Sequence, residues 1–375
     1  MLNLQCVQCK KKYPADGKLL TCPNHNPKFS YLEVIYNYSK IKVFPSHRLK
    51  GWNRYISLLP VSNLQVTLNE VSTEAFKLVK LGKLFGYSNL YLKDETREAT
   101  GSFKDKESLI SINKAVELGY KKVFSISSGN GAVSASAYST KARIPCECFV
   151  SEHTTKAKLD MIEIFGGKTR KLPGTYEQVY QKVIKMNPAG WNITSGFNPY
   201  GNEGDKITAF EIWESIGVPD YVVVPCGNGG NLYGIWKGFY ELKLLGKTKK
   251  IPKMIGVQVA KAAPLKEALK KKKWYVSVKN VPHSVAEGII ASESYTSPKA
   301  IKALALSGGK IITVNDSEII SAFDQVSKTE VVILEITSAS AFAAIPKLKC
   351  APKDKIVVIL TGTGMKYLSY LRALV

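Results

Sequence analysis

The sequence predicts an α/β protein built on a mostly parallel sheet, and two observations carry this prediction. Short runs rich in β-branched residues alternate with helix-length segments, which is the order of βαβ units. These runs are also nearly continuously apolar, which is typical of strands buried on both faces of a parallel sheet. The predicted strands are 89–93, 123–127, 147–150, Tyr221–Pro225, 255–259 and 356–360.

The length and composition exclude several classes of protein. A chain of 375 residues with 45% hydrophobic and 22% charged residues is neither disordered nor collagen-like, and it can form one large or two medium domains. No stretch is long and apolar enough to span a membrane, and the N-terminus lacks the pattern of a signal peptide. We therefore expect a cytoplasmic protein with no membrane association.

The charge balance is strongly basic, with a formal net charge of +23. Such a field attracts anions, including nucleic acid, anionic metabolites and phosphorylated cofactors. The densest run, residues 270–273, is interpreted as a solvated helix end, and the other basic residues are spread along the chain. Because no basic arm or stripe stands out, we do not expect a nucleic-acid partner.

The N-terminal segment contains two pairs of metal-ligand residues. Cys6 and Cys9 form a C-x-x-C pair, and Cys22 and His25 form a C-x-x-H pair a dozen residues later. Two such pairs are the spacing of a tetrahedral structural zinc site, although a reduced, metal-free turn remains the alternative. The other cysteines are interpreted as small apolar residues of the core: Cys146, Cys148, Cys226 and Cys350.

Three glycine-rich turns follow predicted strands, at residues 127–131, 226–231 and 361–364. Each could be an ordinary tight connection. Together they predict an anion-binding site, because backbone N–H groups and helix N-termini collect at the carboxyl ends of parallel strands. None of the turns has the spacing of a nucleotide-binding fingerprint, so a single phosphate fits better than a pyrophosphate.

A lysine also stands at a predicted helix start, in the segment 100–106, where Lys104 follows Phe103. The helix dipole disfavours a cation at this position, so a neutral amine would be tolerated better. A neutral amine is what a Schiff-base lysine requires, because it attacks a carbonyl and later acts as a base. The alternative from these residues alone is an exposed lysine on a first turn.

Six motifs in a fixed order extend over nearly the whole chain. They are an entry segment at 52–61, K-D-E and T-G-S-F-K-D at 93–105, S-G-N at 128–130, N-P-Y and E-G at 198–204, G-N-G-G-N at 227–231, and T-G-x-G-x-K at 361–366. In this order they resemble the threonine synthases, within the fold type II (tryptophan-synthase-β-like) enzymes that depend on pyridoxal 5′-phosphate (PLP). The N-terminal ligand pairs are similar to a small ribbon carried by many members.

The resemblance implies a fold type II architecture: two doubly wound α/β domains with the cofactor in the cleft between them, plus a small zinc-ribbon-like module. We expect this module at residues 1–30. The entry segment of the large PLP domain would cover residues 31–100, and the smaller domain, beginning with the helix of the PLP lysine, residues 101–195. Residues 196–375 would complete the large domain, and the assembly would be a homodimer.

The resemblance also implies roles for individual residues. Lys104 would bind PLP covalently and move protons, while Asn130 would contact the 3′-oxygen of the ring. Thr361 would contact the ring nitrogen, and a neutral hydroxyl there favours elimination and replacement over transamination. Ser128 and Gly129 would lie near the substrate carboxylate. The cofactor phosphate would lie on the backbone amides of Gly227, Asn228, Gly229, Gly230 and Asn231.

Two departures from the family pattern concern the substrate phosphate. Gly131 stands where the family has a threonine, and Gly201 stands where many members have an arginine. Both positions are used in the family to hold the phosphate of O-phosphohomoserine. Another basic residue, Lys206 or Lys106, would have to replace the missing arginine.

Three functions follow from the sequence. The first is threonine synthase: a PLP-dependent lyase that eliminates phosphate from O-phospho-L-homoserine and adds water, with a small anionic amino acid as substrate. The second is a paralogue that catalyses β-elimination or β-replacement on serine, threonine or O-phosphoserine, which residues 286–289 favour because they are similar to a stretch in serine and threonine dehydratases. The third is a non-enzymatic binding protein, which the joint presence of Lys104, Asn130 and Thr361 disfavours.

Overall fold

The computed structural model describes residues 2–279 and 281–372. These residues form two compact units. The first unit contains residues up to 71, residues 98–100 and residues 104–207. The second unit contains residues 72–97, residues 101–103 and the chain from residue 208 onward.

The secondary structure has the alternating order that the sequence predicts. The strands are β1 (Asn3–Cys6), β2 (Lys12–Pro14), β3 (Leu32–Ile35), β4 (Ala75–Lys77), β5 (Asn89–Asp94), β6 (Val123–Ile126), β7 (Cys146–Ser151), β8 (Lys168–Leu172), β9 (Trp191–Asn192), β10 (Tyr221–Pro225), β11 (Lys253–Val259), β12 (Lys310–Val314) and β13 (Lys355–Leu360). The helices are α1 (Val79–Phe85), α2 (Lys104–Glu117), α3 (Asn130–Lys141), α4 (Lys156–Ile164), α5 (Tyr176–Met186), α6 (Lys206–Ile216), α7 (Gly230–Leu244), α8 (Pro264–Lys270), α9 (Ser297–Ser307), α10 (Asp316–Glu330), α11 (Ile336–Ala343) and α12 (Leu368–Arg372).

The first unit contains two sheets. A small antiparallel sheet has the order β2-β1-β3; Cys6 ends β1, and Cys9 lies in the turn that follows it. A four-stranded sheet has the order β8-β7-β6-β9, and its pairings are all parallel. The central strand β6 is buried along its whole length, and three of its four residues are apolar.

The second unit is built on one six-stranded sheet with the order β12-β11-β10-β13-β5-β4. The edge strand β4 pairs antiparallel with β5, and the other pairings are parallel. Its core contains side chains from β5, β10, β11 and β13 together with side chains from α10 and α11. The central strands β10 and β13 are adjacent and parallel, so their carboxyl ends lie at the same edge of this sheet.

The predicted α/β class and parallel sheets are confirmed. Each of the six predicted strands corresponds to an observed strand to within two residues at either end, and each lies in a parallel pairing. The basic run 270–273 is exposed at the end of α8, as expected. No helix in the described part of the chain is long and apolar enough to cross a membrane.

Residues 31–71 and 196–207, which were expected in the large domain, belong to the first compact unit. In the structure the segment 31–71 packs on α2 of the first unit. The side-chain amide of Asn113 accepts a hydrogen bond from the backbone N–H of Val66 (2.9 Å) and donates one to its carbonyl (2.8 Å). Lys106 also lies over the ring of Trp52. The division of the chain into a zinc-ribbon-like module, a smaller domain and a large PLP domain stays a prediction.

Buried ion pairs are a prominent feature of both units. In the first unit Lys206 Nζ lies 2.6 Å from Glu203, and neither side chain is exposed. In the second unit the Nζ of Lys93 lies 2.9 Å from Glu211 and 3.2 Å from Glu95, and all three are buried. A buried charge without a partner is strongly destabilising, so each lysine and its carboxylate must be retained together.

Candidate active site

Lys104 is the first residue of α2, as the sequence predicts, and its amine has two polar neighbours in the first unit. Its Nζ lies 2.8 Å from Oε1 of Glu107, one turn further along the helix, and it also donates a hydrogen bond to the hydroxyl of Ser195. The side chain of Lys104 is 20% exposed, while that of Glu107 is 4% exposed. The carboxylate therefore offsets the unfavourable position of a lysine at a helix N-terminus.

Glu107 is fixed in place by its second oxygen. Oε2 accepts a hydrogen bond from the backbone N–H of Gly196 at 2.9 Å. Neither Glu107 nor Ser195 was predicted from the sequence. The spacing of three residues on a predicted helix was a signal for Glu107, because side chains at i and i+3 are neighbours. Ser195 lies far along the chain and left no local signal.

The turn at 127–131 follows β6 and leads into α3, which begins at Asn130. Ser128, Gly129 and Asn130 are half-buried, so they are not part of the core. A Cβ at Gly131 would lie 3.5 Å from Cβ of Ser195, and therefore Gly131 is next to the residue that contacts Lys104. The first unit thus brings together the predicted lysine, the predicted turn and Ser195.

Lys206 was expected to contact the substrate, but it is completely buried. Besides its pairing with Glu203, its Nζ lies 4.2 Å from the ring centroid of Tyr36, whose hydroxyl donates to the same carboxylate. Lys106 is also completely buried, 3.4 Å from Glu98. The substrate role of Lys206 stays a prediction, and these buried pairings do not favour it for either lysine.

The turn at 226–231 lies in the second unit, at the carboxyl end of β10 and the start of α7. Gly229 has a φ of +92°, a conformation that favours glycine. The carbonyl of Gly227 accepts from the hydroxyl of Ser294 (2.6 Å), and the side chain of Asn228 accepts from the backbone N–H of Tyr295 (3.0 Å). The segment around 294–296 therefore fixes the shape of the turn.

Asn231 supplies the strongest indication that this turn binds a ligand. It lies in the first turn of α7 and is only 6% exposed, yet both polar atoms of its side chain lack a hydrogen-bond partner. A buried amide without partners is costly, so a missing polar group is expected to satisfy it. Next to it, the start of a fifteen-residue helix offers unpaired backbone N–H groups to an anion.

Cys226, at the first position of this turn, behaves as predicted for a core residue. Its side chain is buried, and burial raises the pKa of the thiol to about 12, so the thiol is uncharged. Cys146 and Cys148 are also buried and free of disulfides, whereas Cys350 is partly exposed.

Thr361 lies at the carboxyl end of β13 and is buried in the second unit. Its hydroxyl donates to Oε1 of Glu335 at 2.9 Å and lies 2.8 Å from the hydroxyl of Ser338. Its backbone carbonyl accepts from the N–H of Phe103 at 3.0 Å. Since the hydroxyl proton is directed to a carboxylate, the oxygen remains available as an acceptor. Thr361 was predicted from the sequence, but Glu335 and Ser338 were not.

The four predicted metal ligands lie together in the first unit. One ligand atom from each of Cys6, Cys9, Cys22 and His25 lies within 4.8 Å of the others. The Sγ atoms of Cys9 and Cys22 are 3.8 Å apart, and Nε2 of His25 is buried without a hydrogen-bond partner. Burial raises the pKa of Cys6 to about 12, whereas a backbone hydrogen bond from Lys11 lowers that of Cys9 to about 6.

Comparison with solved structures supports the fold. The chain is similar to the processed form of threonine deaminase isoform 2 from Solanum lycopersicum, with a TM-score of 0.68, 21% identity, and coverage of 81% of this chain and 88% of the other. It is similar to maize serine racemase with the same TM-score, 18% identity, and coverage of 82% and 92%. At these identities the likeness concerns the fold, which is that of fold type II PLP enzymes.

Comparison of sequences identifies the family. Residues 66–362 match the model of the pyridoxal-phosphate dependent enzymes. The chain is 34% identical to a threonine synthase of Methanocaldococcus jannaschii, with 96% of this chain and 92% of that protein covered. It is 32% identical to a threonine synthase of Methanosarcina acetivorans, with 98% and 92% covered. The residues around Lys104, Asn231 and Thr361 thus lie in a chain that belongs to the threonine synthase family of pyridoxal-phosphate-dependent enzymes.

Proposed function

We propose that the protein is a PLP-dependent lyase of the threonine synthase type. It would convert O-phospho-L-homoserine and water into L-threonine and inorganic phosphate, by elimination of phosphate at the γ-carbon and addition of water at the β-carbon. The observation that carries this proposal is the amine of Lys104, held by Glu107 and Ser195 at a helix start. The two named relatives match nearly the whole chain, and we infer the type of reaction from their names.

The residues of the second unit fit the phosphate of PLP. The turn 227–231 offers backbone N–H groups at the start of α7, and the buried side chain of Asn231 lacks a partner. Side chains are also excluded from this turn: a Cβ at Gly227 would lie 3.2 Å from the carbonyl of Gly288, and one at Gly229 only 2.6 Å from Cβ of Ala300. The turn therefore suits an anion bound by main-chain groups.

Other residues would hold the remainder of the cofactor. Lys104 would bind it through Nζ, Asn130 would contact the 3′-oxygen, and Thr361 would lie at the ring nitrogen. Because Thr361 donates its proton to Glu335, we expect its oxygen to act as an acceptor at that position. The negative charge of Glu335 would then stabilise a protonated ring nitrogen more than an isolated hydroxyl would.

The chain's own residues would manage binding and proton movement. When bound, PLP supplies an electron sink for the α-carbon of the amino acid, which permits loss of a leaving group. Lys104 would accept and return protons at the substrate carbons through Nζ. Ser195 and Glu107 would hold that amine in position, and the half-buried residues Ser128 and Gly129, just before α3, would receive the substrate carboxylate.

A second candidate function is β-elimination or β-replacement on serine, threonine or O-phosphoserine. Two observations favour it. Gly131 and Gly201 offer no side-chain donor to a substrate phosphate, and the dehydratase-like segment 286–289 lies against Gly227 of the cofactor turn. A non-enzymatic role is disfavoured because the residues for cofactor binding are all present.

We also propose a structural zinc ion at Cys6, Cys9, Cys22 and His25. Zn–S bonds of about 2.3 Å place two sulfur atoms of a tetrahedral site about 3.8 Å apart. The observed separation of the Sγ atoms of Cys9 and Cys22 is 3.8 Å, and the orphaned Nε2 of His25 supplies a nitrogen ligand. A site closed by four protein ligands has no open position, so it would stabilise the N-terminal module rather than catalyse. A cytoplasmic location and a homodimer complete the proposal.

The first prediction concerns the reaction. Purified holoenzyme incubated with O-phospho-L-homoserine should release threonine and phosphate in equal amounts, measured by chromatography and a phosphate assay. Separate incubations with O-phosphoserine, threonine and serine test the second candidate, for which 2-oxo acids or replacement products are expected. Turnover of the latter substrates without threonine formation from phosphohomoserine would replace the first function by the second.

The second prediction concerns Lys104. Borohydride reduction of the holoenzyme followed by peptide mapping should place the pyridoxyl group on Lys104. Lys104→Ala should lose turnover, while Lys121→Ala, at an exposed lysine just beyond α2, should keep it. A pyridoxyl group on any other lysine would contradict the proposed mechanism.

The third prediction concerns the phosphate turn. Gly229→Ala should lower PLP affinity at least about tenfold, because the added Cβ must displace the turn from Ala300, and it adds backbone strain of about 1–3 kcal/mol. Gly246→Ala is the matched control, since this glycine also has a positive φ (+69°) but has open space around it. Titration of apo-protein with PLP, followed by absorbance, measures the difference. Equal affinity in the two folded variants would argue against this turn.

The fourth prediction concerns the metal. Protein purified without chelators should contain about one zinc per chain, and Cys9→Ser should lose it, because a three-ligand site binds more weakly. Cys350→Ser, at a cysteine of the second unit outside the cluster, should keep the metal. Elemental analysis measures the zinc content of wild type, Cys9→Ser and Cys350→Ser. Wild-type protein without zinc would contradict the proposed site.

A further inference from the structure

The carboxylate of Glu107 lies beside the amine that the proposed function assigns to catalysis. We propose that Glu107 is a specificity-determining residue that weakens the binding of substrates with a phosphorylated side chain relative to substrates with an uncharged one. The inference rests on the proposed function for the role of Lys104. It does not depend on which of the two candidate reactions the protein catalyses.

The position of this carboxylate is fixed at both oxygens. Oε1 lies 2.8 Å from Nζ of Lys104, and Oε2 accepts the backbone N–H of Gly196 at 2.9 Å. The side chain is only 4% exposed, so solvent screens its charge weakly. The hydrogen bond from the backbone of Gly196 does not involve Lys104, so it can hold the carboxylate in place when that amine binds the cofactor.

The substrate must approach this carboxylate closely. To move protons, Nζ of Lys104 has to reach the α-carbon of the bound amino acid. In a phosphorylated substrate the phosphate is only a few bonds, each of about 1.5 Å, away from that α-carbon. The phosphate therefore lies within roughly 10 Å of Glu107, in a region where the effective dielectric constant is far below that of water. A doubly charged group is repelled there, whereas a hydroxyl is not.

Neighbouring cations of the first unit already have carboxylate partners. Lys106 pairs with Glu98, and Lys206 pairs with Glu203. None of these four side chains is exposed. Lys114 lies 2.6 Å from Glu117. These lysines therefore offer a phosphate little net positive charge.

The positions next to Glu107 and Ser195 carry glycine. A Cβ at Gly201 would lie 3.5 Å from the backbone carbonyl of Glu107, and one at Gly131 would lie 3.5 Å from Cβ of Ser195. Neither position supplies a hydroxyl or a guanidinium to offset the carboxylate. The charge of Glu107 is therefore not neutralised by a side chain from either of these two positions.

The test compares two ligands that differ by one phosphate group, O-phospho-L-homoserine and L-homoserine. Their Kd values are measured on the holoenzyme by stopped-flow absorbance, in the binding phase that precedes product formation, for wild type, Glu107→Gln and Glu117→Gln. Glu107→Gln keeps the shape and can still accept from Gly196, but it removes the charge. We expect the preference for the phosphorylated ligand, as the ratio of the two Kd values, to rise on the order of tenfold. Glu117→Gln removes a carboxylate from the other i,i+3 ion pair of α2 and should leave the ratio unchanged.

Taking a ratio removes any general effect of the substitution on Lys104, because that effect applies to both ligands. Glu107→Met is a second neutral variant, to be used if the Gln variant does not fold, and the same rise is expected. A ratio within twofold of wild type in a folded neutral variant overturns the proposal, as does an equal rise in Glu117→Gln. A different result would show that the proposed function is wrong: the wild-type product assay would then yield no threonine. The shift in the Kd ratio on Glu107→Gln would still be observed in that case.

Discussion

The parallel alignment of strands is the constraint on which the candidate site depends. In the second unit β10 and β13 are neighbours in parallel register, with Val223 opposite Val358, so the turns that follow them leave from one edge of the sheet. One turn contains Gly229 and Asn231, and the other contains Thr361. In the first unit β6 places the turn at 127–131 in the equivalent position at the end of its own sheet. The same rule therefore places a glycine-rich turn at the carboxyl end of a parallel strand in each unit.

Local features of the sequence were sufficient to predict the buried strands, the start of α2 at Lys104 and the glycine-rich turns. Continuous apolar runs identify strands with two covered faces, whereas β4 and β8 were missed because they are edge strands with exposed positions. Ser195 and Glu335 could not be predicted by pattern, since tertiary packing alone brings each to its partner. The segment 31–71 was assigned by resemblance, and its packing on α2 depends on side-chain contacts that no periodicity reveals.

Helix α2 shows how the protein uses charge inside its core. Residues 105–115 are buried on all sides of the helix, although they include aspartate, glutamate and lysine. Asp105 accepts hydrogen bonds from both the backbone N–H and the hydroxyl of Thr100, at 2.6 Å each, which closes the turn that precedes Lys104. The amine of Lys104 is thus positioned by a helix whose other charged groups have fixed partners. In this arrangement Lys104 is partly exposed at the helix start, whereas the side chains of Lys106 and Lys114 are buried in their ion pairs.

The buried lysine–carboxylate pairs also have a consequence for the response to heat. The hydration free energy of charged groups becomes less favourable as temperature rises, so the cost of removing them from water decreases. The pairs Lys93–Glu211 and Lys206–Glu203 are completely or almost completely enclosed, and therefore carry nearly the whole of this cost at room temperature. Their net contribution to stability becomes more favourable on warming, whereas the contribution of apolar burial levels off. A chain with such pairs in both units is suited to retain its fold at elevated temperature.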